Sequence, residues 1–246
     1  MNPARSGLST AGKAGIIVIL AILALGAIYV APSLTSGGST SSTSSSHSTG
    51  SSSTLFTGDQ TIELLSLFGY FSQMQIHVAS YDHSEGNALI EQHTLGYQVL
   101  GKGSLNSTQY TRVQFTQEGE GTNLVAWFNP QGGIDRVDVP GVRNYTGATA
   151  SVYAQIYVAT FSIITGVSNN STLLSLLSKT SQAATTIGST ALDVATYALK
   201  APTPPYTNVT VKYASIPGTN LRFAVYFDEN TSDLTETTVQ VLSITK

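Results

Sequence analysis

The chain predicts an α+β exported domain on a single N-terminal transmembrane helix, joined by a disordered Ser/Thr linker. The domain is expected to be a curved antiparallel sheet of about seven strands, with a helical insertion packed on one face. Three observations predict this. Gly15–Ala31 is an uncharged apolar run, Ser33–Thr54 is nearly all hydroxyl and glycine, and short alternating runs from Leu89 onward are interrupted by the uncharged stretch Ala148–Val167. The expected division is 1–32 as cytoplasmic n-region and anchor, 33–54 as linker, and 55–246 as extracellular domain.

Ala14–Ala31 supplies eighteen residues without charge, and an apolar helix needs roughly 17–25 to cross the hydrocarbon core. Arg5 and Lys13 precede it and no charged residue follows until Asp59. The positive-inside bias therefore puts the N-terminus in the cytoplasm and the bulk of the chain outside. A cleaved secretory signal ending near Ala24-Leu25-Gly26 is the alternative. Lys13-Ala14-Gly15-Ile16 also resembles the processing site of archaeal type IV pilin-like precursors. Each version exports residues 33–246 and leaves the membrane, met through Gly15–Ala31 while that run is retained, as the first partner.

The linker holds one apolar residue in twenty-two, too few to offset its ordering entropy by burial. As a flexible coil it reaches about 25 Å. His47 sits alone in it.

Composition narrows the function of the domain. There is no cysteine, hence no disulfide, thiolate metal site or lipid-modified Cys. Charged residues are 10% of the chain, and from Leu55 onward nine Lys/Arg stand against fourteen Asp/Glu. A weakly acidic surface without a basic cluster argues against nucleic acid. Six N-x-S/T acceptors, at Asn106, Asn144, Asn169, Asn170, Asn208 and Asn230, point to a glycoprotein. Asn106, Asn170 and Asn230 fall in expected turns.

The first expected element is a helix over Gln60–Gln75, capped by Asp59, with Ile62, Leu65, Phe68 and Phe71 near helical spacing. Next, His77, Asp82, His83, Glu85, Glu91 and His93 form a scattered polar set. Their His spacings of six and ten do not match ligands on one helix face, so a polar turn is expected and no metal. Strands are expected at Leu89–Gly101, Gln109–Gln117, Asn123–Phe128 and Ile134–Val139, between Gly- and Asn-rich turns. Asp135 and Asp138 are too far apart in phase to share a strand face, which excludes them as a carboxylate pair.

Ala148–Val167 carries Ser151, Gln155, Thr160, Ser162 and Thr165, and has sequons on both flanks. It is expected to be a helix buried in the domain rather than a second span. Leu173–Lys179 and Thr190–Leu199 are read as two shorter helical pieces. Strands then return at Asn208–Ser215, Leu221–Asp228 and Thr235–Thr245. Apolar residues on both phases of the last strand predict a central position.

This element order, with the hairpin Trp127-Phe-Asn-Pro-Gln-Gly-Gly-Ile134, resembles the LolA/LppX-type lipoprotein carrier fold over Gln60–Lys246. The resemblance implies a curved sheet plugged by helices and able to enclose an acyl chain. Anchored carriers of that type commonly use a lipidated Cys, which this chain lacks. The layout of anchor, hydroxyl-rich linker and exported domain also resembles archaeal membrane-tethered surface glycoproteins.

No G-x-S-x-G, reactive thiol, phosphate loop or credible carboxylate pair is present, so no enzyme and no cofactor are expected. Two functions remain: a tethered binding module for a lipid-like or apolar ligand, or a structural or adhesive surface glycoprotein. For the first, Ile156, Phe161, Ile164 and Leu174 are expected to face strands bearing Val113, Phe115 and Val125 and to line the ligand site. Partners are then the membrane, an apolar ligand and envelope proteins.

Overall fold

The computed structural model describes residues 58–84, 86–119, 123–167, 171–216, 219 and 222–246, and, for residues 58–63, Ile156 and 171–172, only the backbone. The anchor and linker readings lie outside the described residues. Helix α1 spans Gly58–Tyr70, and Leu64, Leu67, Phe68 and Phe71 form its buried stripe at the i, i+3, i+4, i+7 spacing of one helix face. The helix stops five residues before the expected Gln75.

Strand β1, Gln73–Asp82, follows at once, then β2 (Ala88–Leu105), β3 (Thr108–Gln117), β4 (Asn123–Phe128), β5 (Ile134–Val139) and β6 (Arg143–Thr146). Helix α2 (Gly147–Gly166) and the short α3 (Ser171–Leu176) come next. The chain ends with β7 (Leu177–Ile187), β8 (Thr190–Leu199), β9 (Tyr206–Ser215), β10 (Arg222–Thr231) and β11 (Thr235–Thr245). All eleven described strands form one sheet, ordered β6-β5-β4-β3-β2-β1-β11-β10-β9-β8-β7.

The expectation of about seven strands is corrected to eleven. Gln73–Asp82, read as a helix end and a turn, is the strand that joins the two halves: β1 pairs with β2 on one side and β11 on the other. Leu177–Ile187, its first three residues read as the end of a helical piece, and Thr190–Leu199, read as helical, are a hairpin. The helical part of the insertion is therefore confined to Gly147–Gly166 and Ser171–Leu176. Thr235–Thr245 is central as expected. Its register slips at Leu242, where Gln75 pairs with Ser243 and Ile76 with Val241. That bulge moves the following side chain to the other face, so Val241 and Ile244 are both buried while Leu242 is exposed.

Successive strands are neighbours throughout, except where the chain leaves edge β6 and re-enters at edge β7. That crossing is made by α2 and α3, so α2 must pass over a face of the sheet. Its two halves, Gly147–Gln155 and Tyr157–Gly166, are bent by 64°. Among the described residues no single helix is long and apolar enough to cross a membrane. The sheet curls around this crossing. Strands β8 and β11 are three positions apart, about 14 Å on a flat sheet, yet Gly188 in the β7–β8 turn forms a bridge with Ile244 of β11. Thr190 Oγ1 donates to the Ile244 carbonyl at 3.1 Å beside it.

Candidate functional site

The interior between helices and sheet is built from aromatic side chains. Phe68 of α1 meets Tyr97 at 4.7 Å and Phe128 at 5.4 Å between ring centroids, both edge-on. Phe161 of α2 meets Tyr97 at 5.1 Å, and Tyr157 stacks on Phe115 at 5.5 Å. These are the separations at which aromatic pairs attract. Burial pushes the Tyr97 phenol well above its ordinary range.

Val113, Phe115, Phe161 and Ile164 are all in this buried cluster, with Leu174 partly buried against it. They are brought together, and what surrounds them is one another. Val125 is not among them, which corrects the expected facing. It alternates with the buried Leu124 and Ala126 and is paired with Gln114 and Asp138, so it points to the opposite face of the sheet. The side chain of Ile156 lies outside the described residues.

A different face of α2 has the features of a site. Tyr157–Val167 is buried at every position except the half-buried Ile163, so this half of the helix is enclosed on all sides. Ala159, Ser162 and Gly166 fall at spacings of three and four and share a face away from Phe161. Ser162 is 6% exposed, and its hydroxyl finds no hydrogen-bond partner among the described residues. Thr165 Oγ1 donates to the Ser162 carbonyl at 3.2 Å, and Tyr213 OH donates to the Val167 carbonyl at 3.0 Å, fixing the end of the helix to β9. Native proteins leave few such hydroxyls unsatisfied, and each calls for a water, a ligand or a functional reason. The small-residue spacing of Ala159, Ser162 and Gly166 was the available sequence signal.

The polar groups of the scattered histidine set go to separate places. His77 Nδ1 meets Thr94 Oγ1 at 3.4 Å, and Gln117 Nε2 donates to His93 Nδ1 at 3.0 Å while His93 Nε2 meets Glu91. His83 Nε2 pairs with Glu236 at 2.7 Å, and Nδ1 meets Asn87. The Asn87 and Glu236 contacts raise the His83 pKa. Among the described residues no three His, Asp or Glu side chains come together as a metal would require. Glu229, in contrast, lies one residue beyond the expected strand Leu221–Asp228 and belongs to β10. It is 6% exposed, and burial pushes its carboxyl up to about 7.

Of the six acceptor asparagines, Asn106 is exposed at a two-residue hairpin turn with positive φ at Asn106 and Ser107. Asn230 lies in strand β10 rather than in a turn, half-buried, with its amide donating to Asp228 Oδ1 at 3.3 Å. It is paired across the ladder with Asn208, which is exposed. The Asn144 amide is engaged on both atoms, donating to Asp138 Oδ1 at 3.0 Å and accepting from Arg136 Nη2 at 2.9 Å. Asn169 and Asn170 lie outside the described residues.

No protein-family model matches the chain, and no curated protein matches it. Among solved structures it is similar to a DUF1329 family protein from Desulfovibrio piger, at 11% identity and TM-score 0.29, covering 76% of this chain and 91% of that one. It is also similar to the lipoprotein LppX of Mycobacterium tuberculosis, at 8% identity and TM-score 0.31, covering 77% and 94%. A Bacteroides fragilis protein with a YmcC-like fold gives 10% identity and TM-score 0.22, covering 72% and 96%. Likenesses of this size carry no argument about function.

Proposed function

We propose that the chain is a non-enzymatic, membrane-anchored extracytoplasmic binding module for an apolar, lipid-like ligand. Its N-terminus is cytoplasmic, with Gly15–Ala31 as the single anchor and residues 33–54 as the spacer. The observation that carries the reading is α2 itself. It is an uncharged helix that crosses between the far edges of a curled sheet, with its second half enclosed on all sides and the Ser162 hydroxyl unpartnered, among the described residues, on its small-residue face. The ligand would take the Ala159–Ser162–Gly166 side of the helix, since the Phe115–Phe161 side is filled by aromatic rings. Pockets for such ligands are mostly apolar with few polar groups. Each buried CH2 contributes about 0.8 kcal/mol.

Binding of a fluorescent fatty acid to the purified chain, with native mass spectrometry before and after organic extraction, tests this. Wild type is expected to bind the probe, and Ala159→Trp is expected to lose it while keeping the near-ultraviolet signature of the aromatic cluster. If wild type neither binds the probe nor loses mass on extraction, the ligand reading is abandoned.

The second reading is a structural or adhesive surface glycoprotein without a small ligand. It is favoured by the aromatic packing around Val113, Phe115, Phe161 and Ile164, four of the seven residues expected to line the ligand site. In that case Asn106, Asn144 and Asn208, the exposed acceptors among the described residues, are the sites for glycans.

A further inference from the structure

Val142, Val152 and Tyr153 are large apolar side chains left 68%, 66% and 43% exposed. They gather at one corner of the molecule. Val142 immediately precedes β6, and Val152 and Tyr153 lie in the first half of α2, which packs against β6. Tyr153 stacks on Tyr145 of β6, with ring centroids 3.9 Å apart, and the Arg143 guanidinium lies 4.7 Å over the Tyr145 ring. Among the described residues Arg143 forms no ion pair with a carboxylate. Nearby Asp138 is occupied by Arg136 Nε and by the Trp127 indole N–H at 2.8 Å. The corner is therefore apolar, aromatic and cationic on a domain whose surface is otherwise weakly acidic.

We infer that this corner, with Val142, Arg143, Val152 and Tyr153 exposed around the buried Tyr145, docks on an anionic lipid surface. The inference rests on the reading of Gly15–Ala31 as a membrane anchor. Two arguments select a bilayer as occupant. With Gly15–Ala31 as anchor, only the twenty-two residues 33–54 separate the bilayer from the domain, which limits how far the two can part. The chemistry also matches the interface: an exposed tyrosine and an arginine each place an apolar body beside a polar tip at headgroup depth. An anionic headgroup complements Arg143, while the acidic remainder of the domain is repelled.

The absence of cysteine gives a clean test on the full chain. Thr149 is exposed and shares the helix face of Val152 and Tyr153. A polarity-sensitive fluorophore on Thr149→Cys, with the chain in mixed phosphatidylcholine–phosphatidylglycerol vesicles, should shift to the blue and be quenched by nitroxide-bearing lipid. The same label on Thr185→Cys, exposed on β7, should show neither effect. Val152→Ser with Tyr153→Ser should abolish the shift, and Arg143→Gln should remove its dependence on phosphatidylglycerol. Trp127 emission checks that each variant is folded. A chain that floats with the vesicles but whose Thr149 label behaves like that at Thr185 overturns the docking and leaves the anchor standing. A chain that does not float overturns the anchor reading and the docking with it. A blue shift that grows with protein density but is untouched by nitroxide lipid identifies a second copy as the occupant and overturns the lipid surface.

Discussion

The two wings of the sheet meet at the β1–β11 ladder and are held in different ways. The wing β2–β6 is fastened by rings: Tyr97, Phe115 and Phe128 lock onto Phe68 of α1 and onto Tyr157 and Phe161 of α2. The wing β10–β7 is fastened nearer its root, by Val209, Val211, Phe223 and Phe227. Its outermost strand reaches the core only at its two ends, Leu177 and Ile187; Ser178–Thr186 between them is exposed on both faces and paired with β8, and the following turn touches Ile244. Backbone pairing is continuous through both, so pairing does not set the difference; side-chain burial does. Opening free energy follows local packing. The first wing is the support, and the second is where the curled sheet can open at least cost.

The largest contrast comes from deleting one side chain in each wing. Phe115 is fully buried and touches four rings, so Phe115→Ala should cost about 3–5 kcal/mol. Thr185→Ala on β7 should stay within about 0.5 kcal/mol. Urea midpoints at constant slope read both. Equal losses would mean that the wings are packed alike, against the burial described above.

The same contrast governs what could be read from the sequence. Asn123–Phe128, Ile134–Val139 and Thr235–Thr245 are strands with the expected ends, and α2 is one residue from Ala148–Val167. In β4, burial writes the alternation that gives the strand away. Strand β7 buries nothing on either face between Ser178 and Thr186, so no alternation is written there. In β8 the alternation Leu192, Val194 against Ala191, Asp193 was present, but the Ala and Leu content mimicked a helix. The two-residue link Gly188-Ser189 was the hairpin signal that could have corrected it. Strand β1 was hidden because Phe71, Met74 and Gln75 continue the helical spacing of α1, although Met74, Ile76 and Val78 also alternate. Val125 was misplaced because the choice of facing residues needs cross-strand register, which composition does not carry. Ser162 was visible as a residue of the uncharged stretch, but its lack of a partner is a property of packing alone.

The second contrast is in pH response, and it belongs to the second wing. Glu229 on β10 has its carboxyl raised to about 7 by burial and, secondarily, by Asp233. Tyr206, on the neighbouring strand, is itself raised, by burial first and then by the charge of Glu229. Because the folded pKa exceeds the ordinary value of 4.5, the folded state holds the proton more tightly. Stability is then fully present below pH 4.5 and lost as pH rises through about 7. The upper bound is about 3 kcal/mol, from 1.36 kcal/mol per unit. Burial raises Asp228 and hydrogen bonding raises His83, both acting in the same direction. Thermal unfolding should therefore occur at higher temperature at pH 5 than at pH 8, and Glu229→Gln should flatten most of the difference. An unchanged pH dependence in that variant would remove Glu229 from the explanation.

The smallest expected effect is the most local, and it tests the closure that gives the sheet its curl. Gly188 has φ +60°, a left-handed conformation that costs an L side chain roughly 1–2 kcal/mol. A Cβ there would also lie 3.0 Å from the Ile244 nitrogen and 3.2 Å from its oxygen, both backbone atoms that cannot turn aside. Gly188→Ala should thus loosen the turn from β11 without touching the aromatic wing. Hydrogen exchange is the suitable readout, because an opening of roughly 1–2 kcal/mol corresponds to exchange about 5- to 30-fold faster. The increase should be confined to β7, β8 and the amides beside Ile244, with β2–β5 unchanged. If the ligand enters where the sheet opens, this variant should also take up the fatty-acid probe faster than wild type at similar affinity. Exchange that rises equally in both wings would mean that the turn and the aromatic cluster open together, and the second wing would then have no opening of its own.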